Sequence, residues 1–426
     1  MKEFQRVLLK NARLIDPLSP HDGHRADVLL SDGKIEKIGN DLTAGNAEVV
    51  ELDNLHVSPG WFDLRVNFRD PGNEHEEDLA SGMEAALRAG FTGVGLSPDT
   101  DPVIDSKADI EYLLAKSATR PLSVYPYGAF TRGLSGEELS EMYDMYQSGA
   151  AAFSHGERPV KNAAVMNLAL LYARPFAPFL QVSPLDPDLS TGGVVHEGPV
   201  SVELGLSGIS TAAETIYLER DLHLADYAET GIHFCGISSA DGVRVLRNAE
   251  REGRRGTADV ALLNLLFRDT DLRSYDTNLK VLPPLRSEAD RLALIEGLHD
   301  GTIGAITSNH QPQATEDKRC EFDLAAFGAA VMECFFGALW PALSGHFSLS
   351  ELINFISHEP RKIAGVDLSI IEEGAEANLS LFDPNLQWSL NRENAFSKAY
   401  NNPLFGHQLQ GKALGVVNKG IILLYS

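Results

Sequence analysis

The chain changes rhythm at Pro59, and that change limits its fold more than any other feature of its 426 residues. Before it, short apolar runs at 7–9, 28–30, 35–38 and 49–52, with a Ser31-Asp32-Gly33 turn between the second and third, predict a small β unit. After it come a predicted strand over 61–68, a helix carrying Leu79, Met83, Ala86 and Leu87 ahead of Gly90, and a strand over 92–96. The same alternation returns in a helix over 289–298 and an apolar strand over 303–306. Repeated over roughly 300 residues, strand then helix predicts an α/β chain folded as a (β/α)8 TIM barrel with insertions. Strand and turn resume at 377–382, 414–417 and 421–424, so both chain ends are expected to build one composite β-sandwich domain. The expected boundaries are 1–58 and 367–426 for that domain and 59–366 for the barrel.

Charge narrows the partners. With 36 basic and 60 acidic residues, a formal net charge of -24 repels nucleic acid and anionic bilayers. No apolar run approaches the ~18 residues of a membrane span, and the apolar stretch after Arg6 is too short for a signal peptide. Cys235, Cys320 and Cys334 are too few for a disulfide framework and form no Cys-x-x-Cys pair; they read as unreactive core thiols. A cytoplasmic protein is expected.

The segment Ser58-Pro59-Gly60-Trp61-Phe62-Asp63-Leu64-Arg65-Val66-Asn67-Phe68-Arg69-Asp70-Pro71-Gly72 resembles the first barrel strand of dihydroorotases, in the amidohydrolase superfamily, whose pattern is Pro-Gly-x-x-Asp-x-His-x-His-x-Arg-x-Pro-Gly. Further matches follow in the family's order: Phe91-Thr92-Gly93, Thr100-Asp101-Pro102-Val103, Ala152-Phe153-Ser154, Arg158-Pro159-Val160, His196-Glu197-Gly198, Asn278-x-Lys280-x-x-Pro283-Pro284-Leu285-Arg286 and Asn402-Pro403-Leu404-Phe405-Gly406. The resemblance spans nearly the whole chain and implies a zinc-dependent barrel that opens cyclic amides in pyrimidine synthesis.

That chemistry needs a hydroxide and a polarised carbonyl, which two bridged zinc ions supply through His, Asp, Glu or Cys ligands. The framework of the first strand is kept, but its two histidines read Arg65 and Asn67, a permanent cation and a poor zinc ligand. By the same resemblance the bridging aspartate position holds His155, a strand-end ligand position Gln181, the second histidine of His-x-x-His-x-Ser Gly236, and the general-base aspartate Asn309. An amide takes no proton from water at neutral pH. All six implied ligand positions are therefore substituted, and no metal, zinc included, and no catalytic residue is expected. Asp63 is expected to pair with Arg65 across one strand face.

The resemblance also implies a residual substrate pocket at Arg69, Asp99, Asn278 and His310, with Asp99 repelling an anion; Arg69 reads equally well as a salt-bridge residue. His75, His155, His233 and His310 fall near strand ends and admit a relocated metal, although one His per strand end is more often a hydrogen-bonded or surface group, and alternation turns His233 and His310 away from the mouth. Pro283-Pro284-Leu285-Arg286 also reads as a loop-shaping segment. Two functions are thus expected as alternatives. The first is a catalytically silent homologue with a structural or regulatory role, forming a homodimer or larger assembly; inactive family members assemble with aspartate carbamoyltransferase, which makes that enzyme the suggested partner. The second is an active cyclic amidohydrolase, dihydroorotase or allantoinase-like, with a relocated or single metal.

Overall fold

The computed structural model describes residues 2–3, 6–177, 179–254 and 256–425. Eight parallel strands follow the alternation after Pro59: β1 (Trp61–Val66), β2 (Phe91–Leu96), β3 (Ser123–Ala129), β4 (Ala152–Ser154), β5 (Leu180–Val182), β6 (Ile232–Phe234), β7 (Gly256–Ala261) and β8 (Ala305–Thr307), paired in that order. The ring is nearly closed, since Val66 forms a parallel bridge with His310 and Asn67 N–H donates to His310 O at 3.0 Å. This is the expected (β/α)8 barrel, with helices outside it.

Local chemistry sets the connecting helices. In Leu79–Arg88 the Asp78 carboxylate caps the first turn by accepting from Ser81 N–H at 2.8 Å, and Leu79, Met83, Ala86 and Leu87 are buried on the barrel. Gly82 lets that helix approach closely, because a Cβ there would sit 2.3 Å from the Phe68 ring. Two expected strands shift at their ends. β1 stops at Val66, where Asn67 leaves to meet His310; β8 starts at Ala305, because Ile303 N–H donates back to Gly297 O of the preceding helix at 2.9 Å.

Both chain ends build a second, nine-stranded sheet. Its path runs Lys2–Glu3, Ile421–Leu424, Leu409–Asn418, Leu379–Trp388, His56–Pro59, Arg6–Leu14, Arg25–Ser31 and Lys34–Gly39, and Glu48–Val50 pairs with Arg6–Leu14. Its core is Val7, Leu9, Val28, Leu30, Val57, Leu379, Leu381 and Val417.

Trp61 joins sheet and barrel. Its ring stacks on Phe336 at 4.8 Å and tilts against Phe382 at 5.6 Å, while Nε1–H donates to Ser58 Oγ and the backbone N–H to Ser380 Oγ, both at 3.0 Å. Two buried polar links support the junction: His358 Nε2 meets Asp16 at 2.8 Å, and Arg361 donates to Gly60 O at 2.9 Å. Burial holds the Arg361 pKa down to about 10. Replacing Trp61 by Ala removes the largest side chain in this contact, so Trp61→Ala should lose ~3–5 kcal/mol of unfolding free energy in urea titration.

Candidate functional site at the barrel mouth

A cleft of about 30 Å³ opens among Arg65 on β1 and Glu157, Ser183, Cys235, Gly236 and Pro283 beyond the ends of later strands. Arg65 is 2% exposed, and its Nε and Nη2 have no hydrogen-bond partner among the described residues. Burial opposes its charge, but the nearby acids, Asp259 foremost, favour it, and the net pKa is raised. The guanidinium lies against Gly236, whose φ is +66°; a Cβ there would approach Arg65 Nη2 to 3.2 Å and Pro283 Cδ to 2.8 Å. Position 236 therefore has neither the backbone nor the room for a histidine.

The expected Asp63–Arg65 ion pair does not form. Asp63 instead accepts from Thr307 Oγ1 and from Ser308 N–H at 3.0 Å, and meets only the backbone N–H of Arg65 at 3.1 Å. Strict alternation fails here because the β1–β2 register shifts between Asp63 and Val66. Burial pushes the Asp63 carboxyl upward against these hydrogen bonds.

The other positions implied by resemblance hold backbone rather than converging on one point. Asn67 accepts from Arg69 N–H at 2.8 Å and donates to Asp99 O at 3.1 Å. His155 lies between Thr131 Oγ1 and Arg158 O at 2.7 Å each, and burial takes its pKa down to about 4, so the ring is neutral. Gln181 Nε2 donates to Leu64 O at 3.4 Å, and Asn309 Nδ2 to Leu282 O at 2.9 Å. His75 is exposed.

The four residues implied to hold substrate are engaged by other protein groups. Arg69 pairs with Glu76 at 3.0 Å and donates to Pro312 O at 2.9 Å, the salt-bridge alternative. Asp99 accepts from Ser97 Oγ at 2.5 Å. Asn278 sits in the short turn Thr277–Leu279, with its backbone N–H on Asp276 at 2.9 Å. His310 faces Glu77 at 3.7 Å and accepts from Met332 N–H, away from the cleft as alternation predicts.

His233 departs from that expectation. Its Nε2 meets Asp259 Oδ2 at 3.0 Å, and the other Asp259 oxygen accepts from Gly236 N–H at 2.7 Å, so the ring lies beneath the cleft. His233, Cys235 and Asp259 are the only His, Cys, Asp or Glu group among the described residues whose ligand atoms gather within 4.8 Å. Burial raises the Cys235 pKa well above its usual value, so it remains a thiol. A guanidinium against that thiol, a histidine already bonded to the aspartate, and amides turned to backbone carbonyls do not fit a two-zinc centre. Cys320 is partly exposed, a departure from the core role expected of all three cysteines.

Three acids of the site carry no sequence motif that reveals their role, and Arg286 stands in a motif read only as loop-shaping. Glu157 makes no hydrogen bond among the described residues, and burial followed by Asp99 pushes its carboxyl up to about 7. Asp259 lies on β7. Glu214, from the helix Thr211–Ala228, accepts from the backbone and hydroxyls of Ser238 and Ser239. Arg286 donates to Ser238 Oγ at 2.7 Å and to Ile209 O at 3.2 Å, so the Pro-Pro-Leu-Arg segment places a buried cation as well as shaping a loop.

A family model described as dihydro-orotase-like matches residues 55–242. The dihydroorotase of Pelotomaculum thermopropionicum is 38% identical over 421 residues, 98% of each chain, and that of Citrifermentans bemidjiense is 37% identical over 98% of this chain and 99% of its own. The chain belongs to the dihydroorotase-like family. This family membership makes it a cyclic amidohydrolase relative. Solved structures agree on the fold: the L-hydantoinase (dihydropyrimidinase) of Arthrobacter aurescens has a TM-score of 0.86 at 20% identity, covering 99% of this chain and 96% of its own. The dihydropyrimidinase of Brevibacillus agri has a TM-score of 0.82 at 20% identity, covering 98% and 95%.

The dihydroorotase-like cleft should reveal Glu157 in its stability. The folded carboxyl keeps its proton to about pH 7, whereas an ordinary glutamate releases it near 4.5, so the group lowers stability as pH rises through that window. Glu157→Gln should therefore match the parent below pH 4.5 and unfold at higher urea above pH 7. Equal midpoints of the two proteins at pH 8 would contradict the assigned environment.

Proposed function

We propose that this dihydroorotase-like protein does not hydrolyse cyclic amides and works in the cytoplasm as a structural or regulatory subunit, with aspartate carbamoyltransferase as its partner. One observation carries the reading: Arg65, a permanent cation without a lone pair, is buried at the mouth where the family's chemistry calls for metal ligands. Asn309 adds to it, since an amide cannot act as general base. Three free cysteines, and no described helix long and apolar enough to cross a membrane, agree with the compartment.

A partner needs a surface. Tyr143, Tyr146 and Tyr172 surround Phe176 at 5.4–5.6 Å on the helices Met142–Gln147 and Ala163–Ala173, next to exposed Leu168 and Leu171. Such a cluster of exposed rings and leucines supports contact with another subunit, in a homodimer or a mixed assembly.

A second reading has its own observation. The His233, Cys235 and Asp259 trio supports an active cyclic amidohydrolase, dihydroorotase or allantoinase-like, with a single relocated metal. Against it stand the Asp259–His233 hydrogen bond, the protonated thiol and the neighbouring Arg65.

Metal content and turnover separate the two. The purified chain should hold zinc well below one equivalent and show no dihydroorotate hydrolysis with added zinc, and Arg65→His alone should restore none. Stoichiometric zinc with measurable turnover would establish the second reading, and activity in the single variant would refute the six-position comparison. For assembly, the chain should co-purify with aspartate carbamoyltransferase, and Leu168→Glu with Tyr172→Glu should weaken that association at least ~10-fold if the ring cluster is the contact. Failure to co-purify removes the named partner and leaves the catalytic question to the zinc assay.

A further inference from the structure

A recess lined by aromatic side chains lies away from the barrel mouth. A cavity of about 260 Å³ lies where the helices Leu79–Arg88 and Phe335–Leu343 meet the strand Leu409–Asn418 and the segment 388–396. On the same measure one water needs about 10–15 Å³, and drug-sized ligands begin near ~300 Å³, so the space suits a molecule of one or two rings.

Much of its wall is apolar. Phe336, Leu390 and Ala413 line it, together with the Trp388 ring, whose Nε1–H is already engaged by Gly411 O at 2.8 Å. Its charges do not cancel. Lys412 lies 5.8 Å from the Trp388 ring and makes no hydrogen bond or ion pair among the described residues. Arg88 is held between the Phe396 and Tyr425 rings at 4.4 and 4.5 Å, with only Nε bonded among the described residues, to Glu84 at 2.9 Å. Glu84 is shared with Arg120 at 3.1 Å. The one carboxylate on the wall, Glu333, is turned to the backbone N–H groups of Phe396 and Ser397 at 2.8 and 3.0 Å.

One more group lacks a partner. The Tyr425 hydroxyl is buried and has no hydrogen-bond partner among the described residues. Two cations, a free hydroxyl and an indole wall are therefore grouped in a chain whose net charge is -24. In such a chain, a positive aromatic recess away from the mouth selects for negative, flat molecules.

We propose that this cavity is a binding site for a small planar anion: a one- or two-ring aromatic or heteroaromatic body carrying a carboxylate, sulfonate or phosphate. The ring lies along Trp388, the anionic group meets Lys412 and the free Arg88 nitrogens, and the Tyr425 hydroxyl takes a polar edge.

The test is calorimetric titration of the full-length protein with naphthalene-2-carboxylate and its neutral counterpart naphthalene-2-carboxamide. The carboxylate should bind one to one, with the carboxamide at least ~10-fold weaker. Lys412→Gln should weaken carboxylate binding ~10-fold, and Tyr425→Phe, which removes one oxygen and keeps the ring on Arg88, should weaken it several-fold with the urea midpoint unchanged. Absence of carboxylate binding at millimolar concentration, equal binding of the two probes, or parental affinity in both variants would each overturn the assignment. If Lys412→Gln fails to fold, Tyr425→Phe alone decides.

Discussion

A guanidinium held in the mouth of a barrel organises this protein. Arg65 cannot lose its charge, so the surrounding structure must accommodate it. Asp259 and Asp99 supply negative field that offsets its desolvation, and Gly236, having no side chain, leaves it room. The acids depend on the arginine in turn. Glu157, which has no hydrogen bond among the described residues and has Asp99 beside it, is already pushed up to about 7 with Arg65 and Arg69 opposing that rise. Removing the arginine alone would leave buried Asp259 and the partly buried Asp99 and Glu157 without its opposing charge, so the cation and the acids have to be considered as one unit.

The rest of the mouth follows from that arrangement. With the centre filled by Arg65, the polar side chains around it turn outward to backbone: Asn67 to Asp99 O, Gln181 to Leu64 O, Asn309 to Leu282 O and His155 to Arg158 O. Each of these bonds stiffens a strand end or loop that an enzyme of this fold would use for chemistry. Stiffness extends further through buried acids. Glu77 faces His310 and also accepts from Ser397, while Glu333 accepts from Phe396 and Ser397, so a wall of the Trp388 cavity and the loop after β8 share anchors.

Much of the fold was legible because it depends on local periodicity. Apolar runs at 7–9, 28–30 and 421–424 became strands of the chain-end sheet, and the Leu79, Met83, Ala86, Leu87 stripe became a helix lying on the barrel. The site was legible only where a family pattern marked it. Arg65, Gly236 and Asn309 stood out against that pattern, and the structure places Arg65 beside Gly236. Asp259, Glu157, Glu214 and Cys235 gave no such signal, because an acid or thiol on a short strand or loop looks the same whether it meets solvent or a buried guanidinium. The Asp63–Arg65 pairing failed for a related reason: period-two alternation assumes an unbroken pleat, and β1 shifts register between those residues and Val66.

The amino-acid sequence by itself determined which elements form, that the ends differ from the middle, and that the positions implied to bind metal carry an arginine, amides, a glycine and a lone histidine. These are properties of composition and of neighbours within a few residues. Only the tertiary structure decided that Arg65 lies beside Gly236 and near Asp259, that His233 turns to Asp259, and that Arg88, Lys412 and Tyr425 enclose an aromatic recess. Those meetings join residues up to hundreds of positions apart. Burial then fixes their protonation and hydrogen bonding, because a charge removed from water must find its partner wherever the fold brings one.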